Sequence, residues 1–184
     1  MTKLIACEFL TLDGVMEASE QWQPSYVSPD LADTMTAHIQ GADGTLLGRV
    51  TYDMFAAYWP LQTQNEFGIA DKLNREPKYV VSSTLKDAAW QNTTILAGNV
   101  TEEITRLKQQ PGTYLRLVGS ATLTRSLMQA GLVDEFWLLV HPVVRGIGKR
   151  LFDKGLDQTS LQQVEVKPFS SGVVLLRYQA EPTA

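Results

Sequence analysis

The chain has little cysteine, little histidine and no long apolar run. Of its 184 residues one is cysteine, Cys7, and two are histidines, His38 and His141. A lone cysteine forms no internal disulfide and supports no multi-cysteine metal centre, and two histidines far apart in sequence give a His-based site little support. No metal is expected, and Cys7, set in an apolar run, reads as a small buried hydrophobe. No segment approaches the ~18 apolar residues of a membrane span. Met1 to Leu10 carries Glu8 inside its apolar stretch and has no small-residue cleavage site, unlike a secretory leader. A cytoplasmic protein without a membrane partner is expected. A basic excess is also missing: 16 Lys and Arg against 20 Asp and Glu give a formal charge of -4. That argues against a nucleic-acid partner, so any bound anion must be held by a local basic pocket or by backbone N–H groups. Neither G-x-G-x-x-G nor G-x-x-x-x-G-K occurs, and no G-x-S-x-G elbow supports a serine hydrolase.

What is present is ordinary globular composition, 44% hydrophobic and 20% charged, in a length that suits one domain spanning residues 1–184. Strand and helix signals alternate. Lys3 to Thr11 is a short apolar strand closed by Asp13-Gly14. Ser28-Pro29-Asp30 reads as a helix start, and Leu31, Met35, His38 and Ile39 then share one face. Further short strands are Gly44 to Gly48, Lys78 to Ser82, Tyr114 to Val118 and Glu135 to Val140. Asn99 to Glu102 fits a capping box, and a helix with Leu123 and Leu127 inward follows Gly119-Ser120. Leu161 to Phe169 and Val173 to Ala180 flank Ser170-Ser171-Gly172 as a terminal hairpin. The predicted fold class is α/β, a mostly parallel central sheet with a C-terminal antiparallel hairpin and helices on both faces.

Three strand-to-helix junctions carry small or hydroxyl residues: Gly48-Arg49-Val50-Thr51, Ser82-Ser83-Thr84 and Gly119-Ser120-Ala121-Thr122. A helix N-terminus offers unpaired N–H groups and partial positive charge, and a small residue lets a phosphate approach the backbone. Each signal alone also fits a plain N-cap or, for Arg49, a solvated arginine. Together they suit an extended polyanion such as a dinucleotide. The basic cluster Arg145, Lys149 and Arg150 reads equally as a phosphate-binding loop or as a solvated one. The aromatic stretch from Tyr58-Trp59 to Phe67, and Trp22 in the long loop after Gly14, suit a roof over a flat ring or a dimer contact. His141 fits a substrate-pocket residue or a packed histidine at a strand end, and His38 a satisfied buried histidine.

The runs LLGRVTYDMF (Leu46 to Phe55) and KYVVSSTL (Lys78 to Leu85) resemble the cofactor strands of dihydrofolate reductases. LVGSATLTRSLMQAGLVDEFWL (Leu117 to Leu138), HPVVRGIGKRLF (His141 to Phe152) and FLTLDGVME (Phe9 to Glu17) narrow the likeness. Over residues 3 to 180 the chain resembles the reductase domain of riboflavin biosynthesis in its stand-alone RibD C-terminal form, within the dihydrofolate reductase-like superfamily. That resemblance implies NADPH as cofactor. Gly48 and Arg49 would line its phosphates, with Thr51 capping the helix. Val81, Ser82 and Ser83 would face the adenosine end, and Gly119, Ser120, Ala121 and Thr122 would wrap the pyrophosphate. Asp13 and Gly14 would lie by the nicotinamide, and Trp22, Trp59 and His141 by the substrate. The family turn has two glycines and a cis peptide; here the second position is Ser120. Asp30 sits in a place that looks equivalent to that of the ring-binding acid of dihydrofolate reductases, although its longer spacing from Trp22 favours a first-turn acid complementing the dipole; Glu17 and Asp13 are the other candidate acids. The implied function is an NADPH-dependent reductase acting on a ribosylaminopyrimidine or a pterin, working as a homodimer. The alternative is a nucleotide-binding module of the same fold with little turnover.

Overall fold

The computed structural model describes residues 1–181; residues 182–184 of the expected 1–184 unit lie outside the described residues. The strands are β1 (Lys3–Thr11), β2 (Gly44–Gly48), β3 (Lys78–Val81), β4 (Thr93–Leu96), β5 (Tyr114–Val118), β6 (Glu135–His141), β7 (Leu161–Pro168) and β8 (Val174–Ala180). The helices are α1 (Pro29–Gly41), α2 (Arg49–Tyr58), α3 (Ile69–Arg75), α4 (Val100–Lys108) and α5 (Ala121–Gln129). All strands join one sheet in the order β4-β3-β2-β5-β1-β6-β8-β7. Strands β1 to β6 pair in parallel, β8 is antiparallel to β6, and β7 antiparallel to β8. This is the expected architecture. The sequence reading passed over β4 and α3. Strand β4 is a four-residue edge strand with weak alternation, and α3 is a seven-residue helix held mainly by burying Ala70 and Leu73.

Alternation along the central strands assigns each residue to a face. Leu4 and Ala6 of β1, Leu46 of β2 and Leu117 of β5 pack with Ile104 of α4 and Leu123 and Leu127 of α5. On the other face Cys7 and Leu139 meet Leu31 of α1, and Leu47 and Val80 meet Tyr52 of α2 and Leu73 of α3. Burial pushes the Cys7 thiol up to about 12, as suits a packed hydrophobe.

The helix starts follow the local sequence with one exception. Asn99 caps α4, with its side-chain oxygen accepting from the Glu102 N–H and its amide donating to the Glu102 carboxylate at 2.9 Å. Ser120 caps α5 through the Leu123 N–H. Ser28 precedes Pro29 as expected, yet its hydroxyl caps nothing; it donates to Asp30 Oδ1 at 2.6 Å, and that carboxylate, the stronger acceptor, takes the Leu31 N–H at 3.1 Å. No helix among the described residues is long and apolar enough to cross a membrane.

Candidate active site

Parallel strands bring their carboxyl ends to one edge of the sheet, which is where the junction residues gather. In register Gly48 lies beside Val81 of β3, and the neighbouring Leu47 beside Val118 of β5. The Gly48 N–H donates to the Gly119 carbonyl at 3.1 Å. A Cβ on Gly48 would sit 2.9 Å from Ser120 Oγ and 3.1 Å from its backbone nitrogen. A Cβ on Gly119, whose φ is +54°, would sit 2.8 Å from Thr51 Oγ1. Glycine is therefore required at both positions, once for space and once also for conformation. The Gly119–Ser120 peptide is cis, as in the family turn.

A cavity of about 1010 Å³ opens beside this edge, between the sheet and helices α1, α2 and α3. Its walls include Thr51, Gly119, Ser120, Ala121 and Thr122 at one end and Trp59 at its mouth. The α5 start is thus exposed to the cavity with first-turn N–H groups that have no intrahelical acceptor.

Other expected site residues fall elsewhere. Val81, Ser82 and Ser83 share the edge but do not line the cavity. Ser82 is buried, and its Oγ accepts from the N–H groups of Thr84 and Leu85 at 3.2 and 3.0 Å, closing a turn. Arg49 is half exposed and pairs with Asp53 at 2.6 Å, one helical turn on. Gly14 carries a positive φ of 80° and belongs to the loop behind the cavity, with its carbonyl accepting from Leu151 N–H.

His141 and Trp22 are corrections to the substrate-pocket reading. His141 is fully buried under the edges of Phe9, Trp22 and Tyr26. Its Nδ1 faces the carbonyls of Leu139 and Leu10 at 2.8 and 3.2 Å, so that nitrogen carries the proton. Burial holds its pKa below the ordinary histidine value, against the pull of those two carbonyls. Trp22 is buried beside it, its indole N–H donating to the Glu17 carbonyl at 3.2 Å. Apolar packing outweighed the loop position that suggested a roof. His38 is buried as expected but not satisfied: it stacks between Tyr114 and Trp137, and neither ring nitrogen has a hydrogen-bond partner among the described residues.

Two of the three candidate acids are engaged outside the cavity. Asp13 accepts from the Thr11 hydroxyl at 2.7 Å and from Arg145 and Gly146 N–H, and it meets the Arg150 guanidinium at 3.3 Å. The Thr11 hydroxyl first, then those backbone donors, hold its carboxyl far below the usual range. Asp30 accepts from Ser28 Oγ, from Leu31 N–H and from both the N–H and hydroxyl of Ser170 in the terminal hairpin turn. The Ser28 hydroxyl, followed by Ser170, depresses its pKa strongly. Asp30 therefore ties α1 to the β7–β8 turn. Glu17 does line the cavity, at its exposed rim, where its Oε2 accepts from Lys149 N–H at 3.3 Å. Within the basic cluster Arg150 donates to the Asp13 carbonyl at 2.9 Å and pairs with its carboxylate, whereas Lys149 reaches the cavity.

Two buried charges were not picked out as site residues from the sequence. Glu8 accepts from Gly119 N–H at 3.1 and 3.2 Å through its two oxygens and from Thr124 Oγ1 at 2.7 Å, so it holds the glycine turn from beneath. Burial pushes its pKa up to about 7, against the two hydrogen bonds. Arg116 lies on the cavity floor. The signal for both was a single charge inside a short apolar strand: with both sheet faces covered, such a residue is buried and needs partners.

A parallel sheet with an antiparallel hairpin, a glycine turn over one strand end and a cavity along that edge define a protein of the dihydrofolate reductase-like fold. Its backbone is similar to dihydrofolate reductase from Enterococcus faecalis, described in complex with NADP(H) and RAB-propyl, with a TM-score of 0.65, 15% identity and coverage of 97% of this chain and 96% of that one. It is similar to a putative riboflavin biosynthesis protein from Shewanella sp. PV-4 as well, with a TM-score of 0.79, 19% identity and coverage of 98% and 99%. In sequence it is 34% identical over 177 residues to the uncharacterised protein YyaP of Bacillus subtilis, covering 92% of this chain and 90% of that protein. The RibD C-terminal domain model matches residues 2–175, and the chain belongs to that family.

Proposed function

We propose that the protein is an NADPH-dependent reductase that transfers a hydride to a carbon of a flat nitrogen heterocycle, with a ribosylaminopyrimidine as the first substrate class and a pterin as the second. The observation that carries this reading is the Gly119–Ser120 turn, which lines one wall of the cavity with Thr51 and is closely approached from outside the lining by Gly48. The side chains of Thr51, Ser120, Ala121 and Thr122 there are small, and the start of α5 faces the same space. That donor set fits a pyrophosphate. NADPH would supply the hydride. The chain's residues would bind and orient it: Thr51, Ala121 and Thr122 at the phosphates, Arg49 released from Asp53 toward the adenosine end, and Trp59 at the mouth. The apolar walls exclude water from the reacting carbons, so positioning provides most of the rate. Glu17 is the candidate acid that reaches the cavity, and water entering at the rim is the other proton source.

The test is fluorescence titration with NADPH and with NADH, followed by loss of NADPH absorbance with dihydrofolate and with a ribosylaminopyrimidine. Saturable NADPH quenching with turnover of either substrate is expected. No quenching by either nucleotide rejects the reading, and binding without turnover of any ring leaves the nucleotide-binding module.

A further inference from the structure

Strand β5 runs through the middle of a sheet covered on both faces, and its residues alternate between them. Leu115 and Leu117 face α4 and α5; Arg116 faces the cavity side, with 5% of its side chain exposed. A guanidinium so placed stays charged, and burying it requires partners for its five N–H groups. Nη2 has two, Thr45 Oγ1 at 2.6 Å and Glu76 Oε1 at 3.1 Å. Nε has none among the described residues. The wall around it is mostly apolar, with Cys7, Leu31, Met35, Ile39, Leu73 and Val118, and the Thr36 hydroxyl that also lines the cavity makes no hydrogen bond to Arg116 among the described residues.

The charge around this point is positive. Among the described residues Glu76 is the one carboxylate paired with Arg116, and its Oε1 is shared with the Thr45 hydroxyl. Lys72 lies 3.5 Å from the other Glu76 oxygen, and Lys78 is directed to the carbonyls of Leu73, Asn74 and Glu76. Among the described residues no other carboxylate pairs with Arg116, and Glu20, which also lines the cavity, is exposed. Asp30 is bound to Ser170, Glu8 is held under Gly119, and Glu17 stands at the rim.

We infer that the deep end of the cavity selects substrates by an acceptor edge: a planar ring whose buried side carries a carbonyl or anionic oxygen, received by Arg116. This rests on the reading of the cavity as the substrate site. A donor edge such as an amino or ammonium group would face Arg116 with like polarity and leave Nε unpaired. The apolar wall takes the ring faces, and Arg116 sets which edge points inward. A uracil-type dione satisfies the requirement; a diaminopyrimidine edge does not.

The experiment uses three probes with one aromatic body: naphthoate, naphthalenemethanol and naphthylmethylammonium, titrated by tryptophan fluorescence. Naphthoate is expected to bind about tenfold or more tightly than the ammonium, as a hydrogen bond to a charged group would give. The double variant Arg116→Met with Glu76→Gln, which removes one charge of each sign and leaves Lys72 its hydrogen bond to the Ala42 carbonyl, should bring the two within about threefold while leaving NADPH binding unchanged. In the wild-type protein the nitrogen NMR signal of Arg116 Nε–H, assigned by its loss in Arg116→Lys, should shift with naphthoate and stay still with the ammonium. Equal affinities in the wild type, a preference surviving in the double variant, or naphthoate binding with no Nε–H shift each overturn the inference. If NADPH fails to bind while the naphthoate preference and the shift hold, the cofactor reading falls and the role of Arg116 stands.

Discussion

The strand-end wall of the cavity and the loop latch beside it are built by opposite means. The wall at Gly48 and Gly119–Ser120 is made of backbone and hydroxyls, and its geometry depends on side chains being absent. The latch between residues 11–17 and 143–151 is made of side chains acting on backbone. Asp13 binds two N–H groups and a guanidinium, and Val15 bridges Arg150. Both regions sit near the cavity and both look functional in sequence. The difference is in what remains for a ligand. A wall of glycine leaves N–H groups and room, whereas an acid whose oxygens already accept from several donors has little left to offer.

That contrast can be broken in order of effect. The largest expected change is at Glu8, which supports the wall from below. Its folded-state pKa is raised from an ordinary value near 4.5 to about 7. The stability it contributes is therefore full below about 4.5 and is lost as pH rises through about 7. Glu8→Gln keeps an acceptor for Gly119 and Thr124 without that loss. Relative to the variant, the wild type should lose about 3 kcal/mol between pH 4.5 and pH 8, read by denaturant unfolding across the range. A difference flat with pH would remove Glu8 as the buried, proton-holding support of the turn.

Next in size, Gly48→Val should weaken NADPH binding by about tenfold to a hundredfold, the loss that overpacking against a rigid neighbour produces. The obstruction is backbone as well as side chain, since the added Cβ meets both the nitrogen and the Oγ of Ser120. Titration of the variant checks this, and unchanged affinity would detach the wall from cofactor binding. The smallest effect is expected in the latch. Asp13→Ala should leave NADPH affinity within about threefold and speed amide exchange at Arg145 and Gly146, whose N–H groups lose their acceptor. A collapse of NADPH binding in that variant would make the latch part of the site after all.

Much of the fold was legible because it rests on local and periodic signals. The Ser28-Pro29 start of α1, the Asn99 cap and the glycine-bounded hairpin are written in neighbouring residues. Edge strand β4 and short α3 carry little such signal. The site was half legible. Small residues at strand ends announce a turn, and a parallel sheet must bring such turns to one edge. The same logic does not say which way Asp30 or Trp22 points. Asp30 is held by Ser170, 140 residues away, and Trp22 is drawn under His141 by packing. Arg49 reads in sequence as a phosphate ligand or a solvated arginine, and rests here half exposed against Asp53.

By itself the sequence determined the alternation of strands and helices, the family and the glycine-lined strand ends, since these follow from periodicity, capping chemistry and the steric demands of a turn. Tertiary structure alone decided which charges reach the cavity. Asp13 and Asp30 were spent on distant backbone donors, while Glu8 and Arg116, each a lone charge in an apolar strand, were brought beneath the turn and onto the floor. A charge takes its role from the partners that surround it, and those partners come from parts of the chain that only folding brings together.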